Sequence, residues 1–249
     1  MIAFRSLVFN AAFYLWTTLM FVSCIPLLAM PRRMLIAAGR VWLGGTMALL
    51  AVICGLRYEI RGLSNLPQGA CIIASKHQSA WDTLIYLLIV ERPSFVFKKE
   101  LMWIPVFGWY LLRTGSLPID RAGGAKSLRR LIAHARRALD GGAKIVIFPE
   151  GTRVAPGDHL PHHPGTAALY TRLGAPVVPV ALNSGLFWGR RSFLKTPGRI
   201  VLEFLPPIAP GLPRAEFTGE LERRIETATD ALIDRAGSGT EAGSATVCG

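Results

Sequence analysis

Residues 71–83 read Cys71-Ile72-Ile73-Ala74-Ser75-Lys76-His77-Gln78-Ser79-Ala80-Trp81-Asp82-Thr83. The first four form a short apolar run, the signature of a buried strand. A histidine follows, and an aspartate stands five positions after it. Five positions along one helix turn a side chain by about 140° past a full turn, so the two cannot share a helical face. They meet only if His77 lies in the loop before a helix and Asp82 in its first turn. Ser79, three residues ahead of Asp82, opens such a helix as a capping box. The stretch therefore reads strand, loop, helix.

The same alternation continues outward. From about residue 56 short apolar runs alternate with longer helical patterns, as in an α/β layer fold with a mixed central sheet flanked by helices. Strands are expected at 58–61, 70–75, 94–97, 116–119, 144–148, 177–182 and 200–205. Helices are expected at 79–90, 125–140, 165–173 and 214–236. The 125–140 helix is the clearest. Leu128, Leu131, Ile132, Ala135 and Leu139 make one apolar stripe, and Gly141 follows as a stop. Its other face carries Lys126, Arg129, Arg130, Arg136 and Arg137. That face is either the solvated side of a crossover helix or a binding surface. Residues 237–249, rich in Gly, Ser, Thr and Ala, read as a disordered tail.

The N-terminus differs. Residues 7–30 contain no charged side chain, and these 24 residues would reach ~36 Å as a helix, enough to cross a bilayer core. A second apolar segment, 34–56, follows Pro31, Arg32 and Arg33. The stretch is too long for a signal-peptide core and lacks a cleavage site before a polar mature start. Residues 1–56 are expected to form a two-helix membrane-embedded hairpin, spanning twice or dipping into one leaflet, with residues 57–236 as the α/β domain. Apolar residues make up 51% of the chain and the formal net charge is +12; mean hydropathy is +0.37 and the pI about 10.2. A basic chain seeks anionic partners, and the apolar N-terminus selects lipid over nucleic acid. Cys24, Cys54, Cys71 and Cys248 show neither metal-ligand spacing nor a disulfide framework.

Three constellations carry chemistry. Asp82, on meeting His77, would fix the tautomer of the ring and leave the other nitrogen as a base. No serine or cysteine is marked as a covalent nucleophile, so the base activates a substrate hydroxyl. The second is Phe148-Pro149-Glu150-Gly151-Thr152-Arg153, at the end of a strand, where open α/β sheets place ligands. Either Glu150 and Arg153 form a local ion pair that steadies the turn, or Arg153 grips a phosphate with Glu150 orienting it or a substrate hydroxyl. The third is Gly115-Ser116-Leu117-Pro118-Ile119-Asp120-Arg121. Pro118 points to an edge strand or a bulge. Arg121 is a second phosphate candidate or the partner of Asp120. His159, His162 and His163 cluster in a loop without a supporting set of metal ligands. Residues 98–112 mix Lys98 and Lys99 with Trp103, Phe107, Trp109 and Tyr110, as packed core or as an interfacial patch.

In this order, His77–Asp82 (HQSAWD), Gly115–Arg121 (GSLPIDR), Phe148–Arg153 (FPEGTR) and the Val/Pro-rich Ala175–Val180 run resemble the glycerolipid acyltransferase family, over residues 61–205. The resemblance implies a membrane enzyme on the cytoplasmic face of the cell membrane. It would move a fatty acyl group from acyl-CoA or acyl carrier protein to the sn-2 hydroxyl of 1-acylglycerol 3-phosphate (lysophosphatidic acid), giving phosphatidic acid, with no metal or other cofactor. It makes His77 the general base and Asp82 its partner. Arg121, Glu150, Gly151, Thr152 and Arg153 would hold the phosphorylated acceptor, and the 177–180 strand would shape the acyl pocket. The chain departs from the family at Lys76, where asparagine is common, at Pro118, where a bulky apolar residue is usual, and at His163, where a lysine often stands. Lys76 becomes a candidate contact for the donor or the oxyanion. Rival readings are an acyltransferase for another acceptor (glycerol 3-phosphate or a lyso-aminolipid), a lipid hydrolase, and a non-catalytic protein that binds anionic lipid.

Overall fold

The structure, a computed structural model, describes residues 1–104, 107–120 and 122–244. Helices α1 (Ile2–Ser23) and α2 (Arg32–Leu49, continued by a π turn over Leu50–Cys54) form the N-terminal hairpin. Indole N–H groups stitch it together: Trp16 donates to Trp42 O at 2.8 Å and Trp42 to Thr17 Oγ1 at 3.1 Å. Both helices are long and apolar enough to cross a membrane. Phe4, Leu7, Leu15, Leu19 and Val22 of α1 face outward and exposed, an apolar surface that suits membrane association.

The chain then enters a seven-stranded sheet made of β1 (Leu56–Arg61), β2 (Cys71–Ser75), β3 (Pro93–Lys98), β4 (Leu117–Ile119), β5 (Lys144–Ile147), β6 (Val177–Leu182) and β7 (Gly198–Phe204). Their spatial order is β1-β7-β6-β2-β5-β3-β4. Strands β6, β2, β5, β3 and β4 run parallel; β7 is antiparallel to β6, and β1 is parallel to β7. The central strands β2, β5 and β6 are buried along their whole length, which explains why they read as unbroken apolar runs rather than alternating ones. Strand β4 closes one edge, where Pro118 lacks the N–H that an interior strand needs.

Two layers of helices cover the sheet. On one face α3 (Trp81–Ile89) and the hairpin pack together: Phe9, Leu43, Met47 and Leu50 share a core with Ile73, Trp81, Ile85 and Val178. On the other face α5 (Gly124–Asp140), α6 (Pro164–Leu173) and α7 (Arg214–Ser244) enclose Ile72, Ala74, Ile145 and Val177. The sequence boundary at residue 56 therefore cuts through a shared core. A further short helix, α4 (Phe107–Arg113), stands in the aromatic 98–112 stretch. Its Tyr110 OH donates to Phe21 O of the hairpin at 3.2 Å. The last helix runs on to Ser244, past the Ala236 boundary read from composition; Leu232 is one of its buried apolar anchors. The rest of the expected tail, with Cys248, lies outside the described residues.

Candidate active site

The parallel strands end level with one another: Ala74 of β2 faces Ile147 of β5 and Pro179 of β6. Three loops leave this carboxyl edge side by side, after Ser75, Ile147 and Leu182. The first carries His77, and α3 begins at Trp81, so Asp82 falls in the first helical turn. The two side chains meet, with His77 Nδ1 3.1 Å from Asp82 Oδ2. The same oxygen accepts the backbone N–H groups of Gln78 and Ser79, both at 2.7 Å. This is the carboxylate half of the capping box, with Asp82 reaching back over the helix start. Asp82 Oδ1 accepts the Ser184 hydroxyl at 2.5 Å, delivered by the loop after β6.

Asp82 is fully buried and accepts four hydrogen bonds. An ionised carboxylate only accepts, so the His77 proton sits on Nδ1 and the lone pair on Nε2. The ring is 13% exposed and stacks on Phe148, with centroids 4.1 Å apart and planes inclined by 26°. Its backbone is fixed on both sides: His77 N–H donates to Glu150 Oε2 at 2.9 Å, and Val154 N–H donates to His77 O at 2.8 Å. An oriented imidazole with one free nitrogen has the geometry that general-base chemistry requires.

The Phe148–Arg153 segment leaves β5 through a turn closed by Gly151 N–H to Phe148 O at 2.9 Å. Gly151 sits at φ 66°, a conformation that a side chain would strain. The turn sends Glu150 inward. Its carboxylate does not pair with Arg153 but lies 2.7 Å from Lys76 Nζ, and both side chains are buried. Burial pushes the Glu150 carboxyl up, opposed by the Lys76 ammonium. Both side chains lie away from the surface on which the sequence reading set them. Glu150, 3% exposed, supports the His77 loop through the His77 N–H. Lys76, 1% exposed, points behind the sheet and cannot touch a donor or an oxyanion. The cause is strand alternation, which sets Lys76 on the face of Ile72 and Ala74 and His77 on the opposite one. Thr152 and Arg153 are half-buried. Among the described residues no carboxylate pairs with the Arg153 guanidinium, which stays available for an anion. Arg121 lies outside the described residues; Asp120, beside it, pairs with Lys99.

His77, Phe148 and Gly151 line a cavity of about 700 Å³. Leu84 and Leu87 of α3, Leu128 of α5, and Phe21 and Trp42 of the hairpin line it as well. Its walls are overwhelmingly apolar. Strand β6 takes no part, contrary to expectation: its side chains are consumed by the two cores on either side of the sheet, and the cavity lies over β3, β4 and β5 instead. The three loop histidines diverge. His159 pairs with Asp230 at 3.1 Å. His162 is buried, its imidazole pushed down to about 4 by burial and by the Lys76 ammonium. His163 lines the cavity at the start of α6.

Sequence reasoning passed over Ser184 and Glu226, and it placed Phe148 in a motif without giving it a role. Ser184 had a usable signal, because it follows the strand next to β2 and so reaches the same edge. Glu226, which grips Lys76 from α7, had none.

A family model described as Acyltransferase matches residues 57–183. A Pseudomonas aeruginosa protein named 1-acyl-sn-glycerol-3-phosphate acyltransferase is 37% identical over 220 residues, spanning 88% of this chain and 85% of the relative. The protein of that name from Salmonella typhimurium is 32% identical over 167 residues, 66% of this chain and 68% of the relative. The fold matches the crystal structure of the 1-acyl-sn-glycerophosphate (LPA) acyltransferase PlsC from Thermotoga maritima, with a TM-score of 0.77 and 23% identity over 94% of this chain and 98% of that one.

Proposed function

This chain belongs to the acyltransferase family, and from that premise we propose that it carries a fatty acyl group from a thioester, acyl-CoA or acyl carrier protein, to the sn-2 hydroxyl of 1-acylglycerol 3-phosphate. The observation that carries the reading is the Asp82-held imidazole of His77 in the wall of an apolar cavity of about 700 Å³. The cavity suits an acyl chain, and the imidazole suits a hydroxyl nucleophile. The names of the relatives point to the same acceptor.

In this scheme His77 Nε2 takes the acceptor's hydroxyl proton as that oxygen attacks the thioester carbonyl. Asp82 stabilises the imidazolium. The tetrahedral intermediate then collapses, the carbon–sulfur bond breaks, and the proton passes from His77 to the departing sulfur. Arg153 holds the acceptor's phosphate, with Arg121 as its partner in the reading. Gly151 and Thr152 line the approach. Glu150 acts through the backbone of His77. The hairpin sets the cavity against the membrane from which the lipid acceptor arrives, with the catalytic domain on the cytoplasmic face, where either donor is found. The scheme uses no metal or cofactor.

Purified enzyme offered 1-acylglycerol 3-phosphate, glycerol 3-phosphate and a lyso-aminolipid in parallel tests the reading. Ester formation should be fastest with the first. Equal rates with all three would refute the acceptor. Thioester cleavage as fast without an acceptor as with one would make the protein a hydrolase.

A further inference from the structure

We infer that Lys76 and Glu226 are positioning residues for His77: an ion pair behind the sheet that ties the C-terminal helix to the general base. The inference rests on the proposed role of His77.

Lys76 and His77 are neighbours in sequence with opposite destinations. While His77 opens onto the cavity, the Lys76 side chain passes to the other face and ends among carboxylates. Its ammonium donates to Glu226 Oε1 at 2.8 Å, to Glu226 Oε2 at 2.7 Å and to Asp158 O at 3.3 Å. These use all three of its N–H groups. The contact with Glu150 Oε1 at 2.7 Å is thus ionic rather than directed. The other oxygen of Glu150 accepts the His77 N–H. The result is a chain of contacts, Glu226 to Lys76 to Glu150 to the backbone of His77, that reaches from the middle of α7 to the catalytic loop.

A buried ion pair is a poor way to gain stability, because desolvation offsets most of the attraction and a packed apolar pair serves as well. It is a good way to fix a position, since the geometry of a buried charge admits few alternatives. A base must sit within hydrogen-bond reach of the proton it removes, and a displacement of about 1 Å costs on the order of a hundredfold in rate. Near the solvent edge His159 Nε2 lies 3.6 Å from Glu226 Oε2 and 3.1 Å from Asp230 Oδ1. The rest of the cluster is closed.

The test is steady-state kinetics on the full chain in detergent, with palmitoyl-CoA and 1-acylglycerol 3-phosphate, alongside thermal unfolding of the same samples. Glu226→Gln should lower kcat by about tenfold or more with both KM values within about twofold. Glu226→Asp, which keeps the charge, should recover most of the loss. Wild-type kcat in Glu226→Gln, or a loss no larger than its unfolded fraction, overturns the inference. Should Glu226→Gln not fold, the double variant Lys76→Met/Glu226→Leu removes both charges together: a fall in kcat at unchanged KM supports the inference, and wild-type kcat overturns it. Failure of the wild type to use this acceptor would instead strike the proposed function.

Discussion

Replacing Asp82 by asparagine removes a charge and leaves the hydrogen bonds standing. The backbone N–H groups of Gln78 and Ser79, each 2.7 Å from Oδ2, require an oxygen there. The amide of the variant must therefore turn its carbonyl toward them and toward His77 Nδ1–H, and its NH₂ toward Ser184 Oγ, which accepts as readily as it donates. The tautomer of His77 is preserved. What is lost is the attraction between carboxylate and imidazolium. At the 3.1 Å separation and an effective dielectric of about 20, Coulomb's law gives about 5 kcal/mol. With the proton roughly half transferred in the transition state, about half of that acts on the barrier, and kcat falls by about a hundredfold. The assay is thiol release from acyl-CoA in the presence of 1-acylglycerol 3-phosphate, read as kcat and KM. KM should hold, since Asp82 touches no substrate. A kcat for Asp82→Asn within about threefold of wild type would refute the electrostatic role of the carboxylate.

Other predictions follow from neighbouring contacts. Ser184→Ala removes one charge-assisted hydrogen bond from Asp82 and should reduce kcat by about tenfold, measured in the same assay; an unchanged rate would show that three bonds hold the carboxylate well enough. Leu128→Trp thickens the cavity wall by about two methylenes, each worth about 0.8 kcal/mol to a buried chain. The kcat/KM ratio of palmitoyl to lauroyl donor should then drop about tenfold, and an unaltered ratio would place the chain elsewhere. His162, held at about 4 when folded against about 6.5 unfolded, binds fewer protons in the native state between those values. Stability is therefore complete above the unfolded value and lost as pH falls toward 4, by on the order of 3 kcal/mol. Neither ring nitrogen has a partner among the described residues, so His162→Leu should flatten this slope in unfolding midpoints taken from pH 7 to pH 4; identical slopes would contradict the assignment.

Much of the molecule was legible because its signals are local. The unbroken apolar runs of β2, β5 and β6 mark strands buried on both faces, and Pro118 marks the edge strand. The spacing of His77, Ser79 and Asp82 specifies both the helix start and the histidine–carboxylate contact, since one geometry satisfies all three. The misreadings share a different cause. Lys76 and Glu150 sit beside motif residues, where the sequence alone suggests a substrate-facing side chain, but alternation along β2 and the turn after Pro149 direct both inward, where they pair. The partner that completes them, Glu226, is 150 positions from Lys76, and nothing near it announces the contact. The hairpin was read as a device for lipid alone. Helix α1 is apolar all round and carries no stripe to reveal which side meets protein, so the packing of Phe9 into the core left no periodic trace. The cavity is lined from β3, β4 and β5 rather than from the 177–180 strand, a placement that depends on the spatial order of the strands and leaves no local mark in the sequence.

The central claim is that His77 removes the proton of the acceptor hydroxyl. Thiol release from acyl-CoA, followed with and without 1-acylglycerol 3-phosphate for the wild type and for His77→Ala, tests it most directly. The wild type should release thiol rapidly only when the acceptor is present, and the alanine variant should lose that acceptor-dependent rate by about a thousandfold while unfolding at the wild-type temperature. An alanine variant that keeps acceptor-dependent release within about tenfold of wild type would mean that the base lies elsewhere.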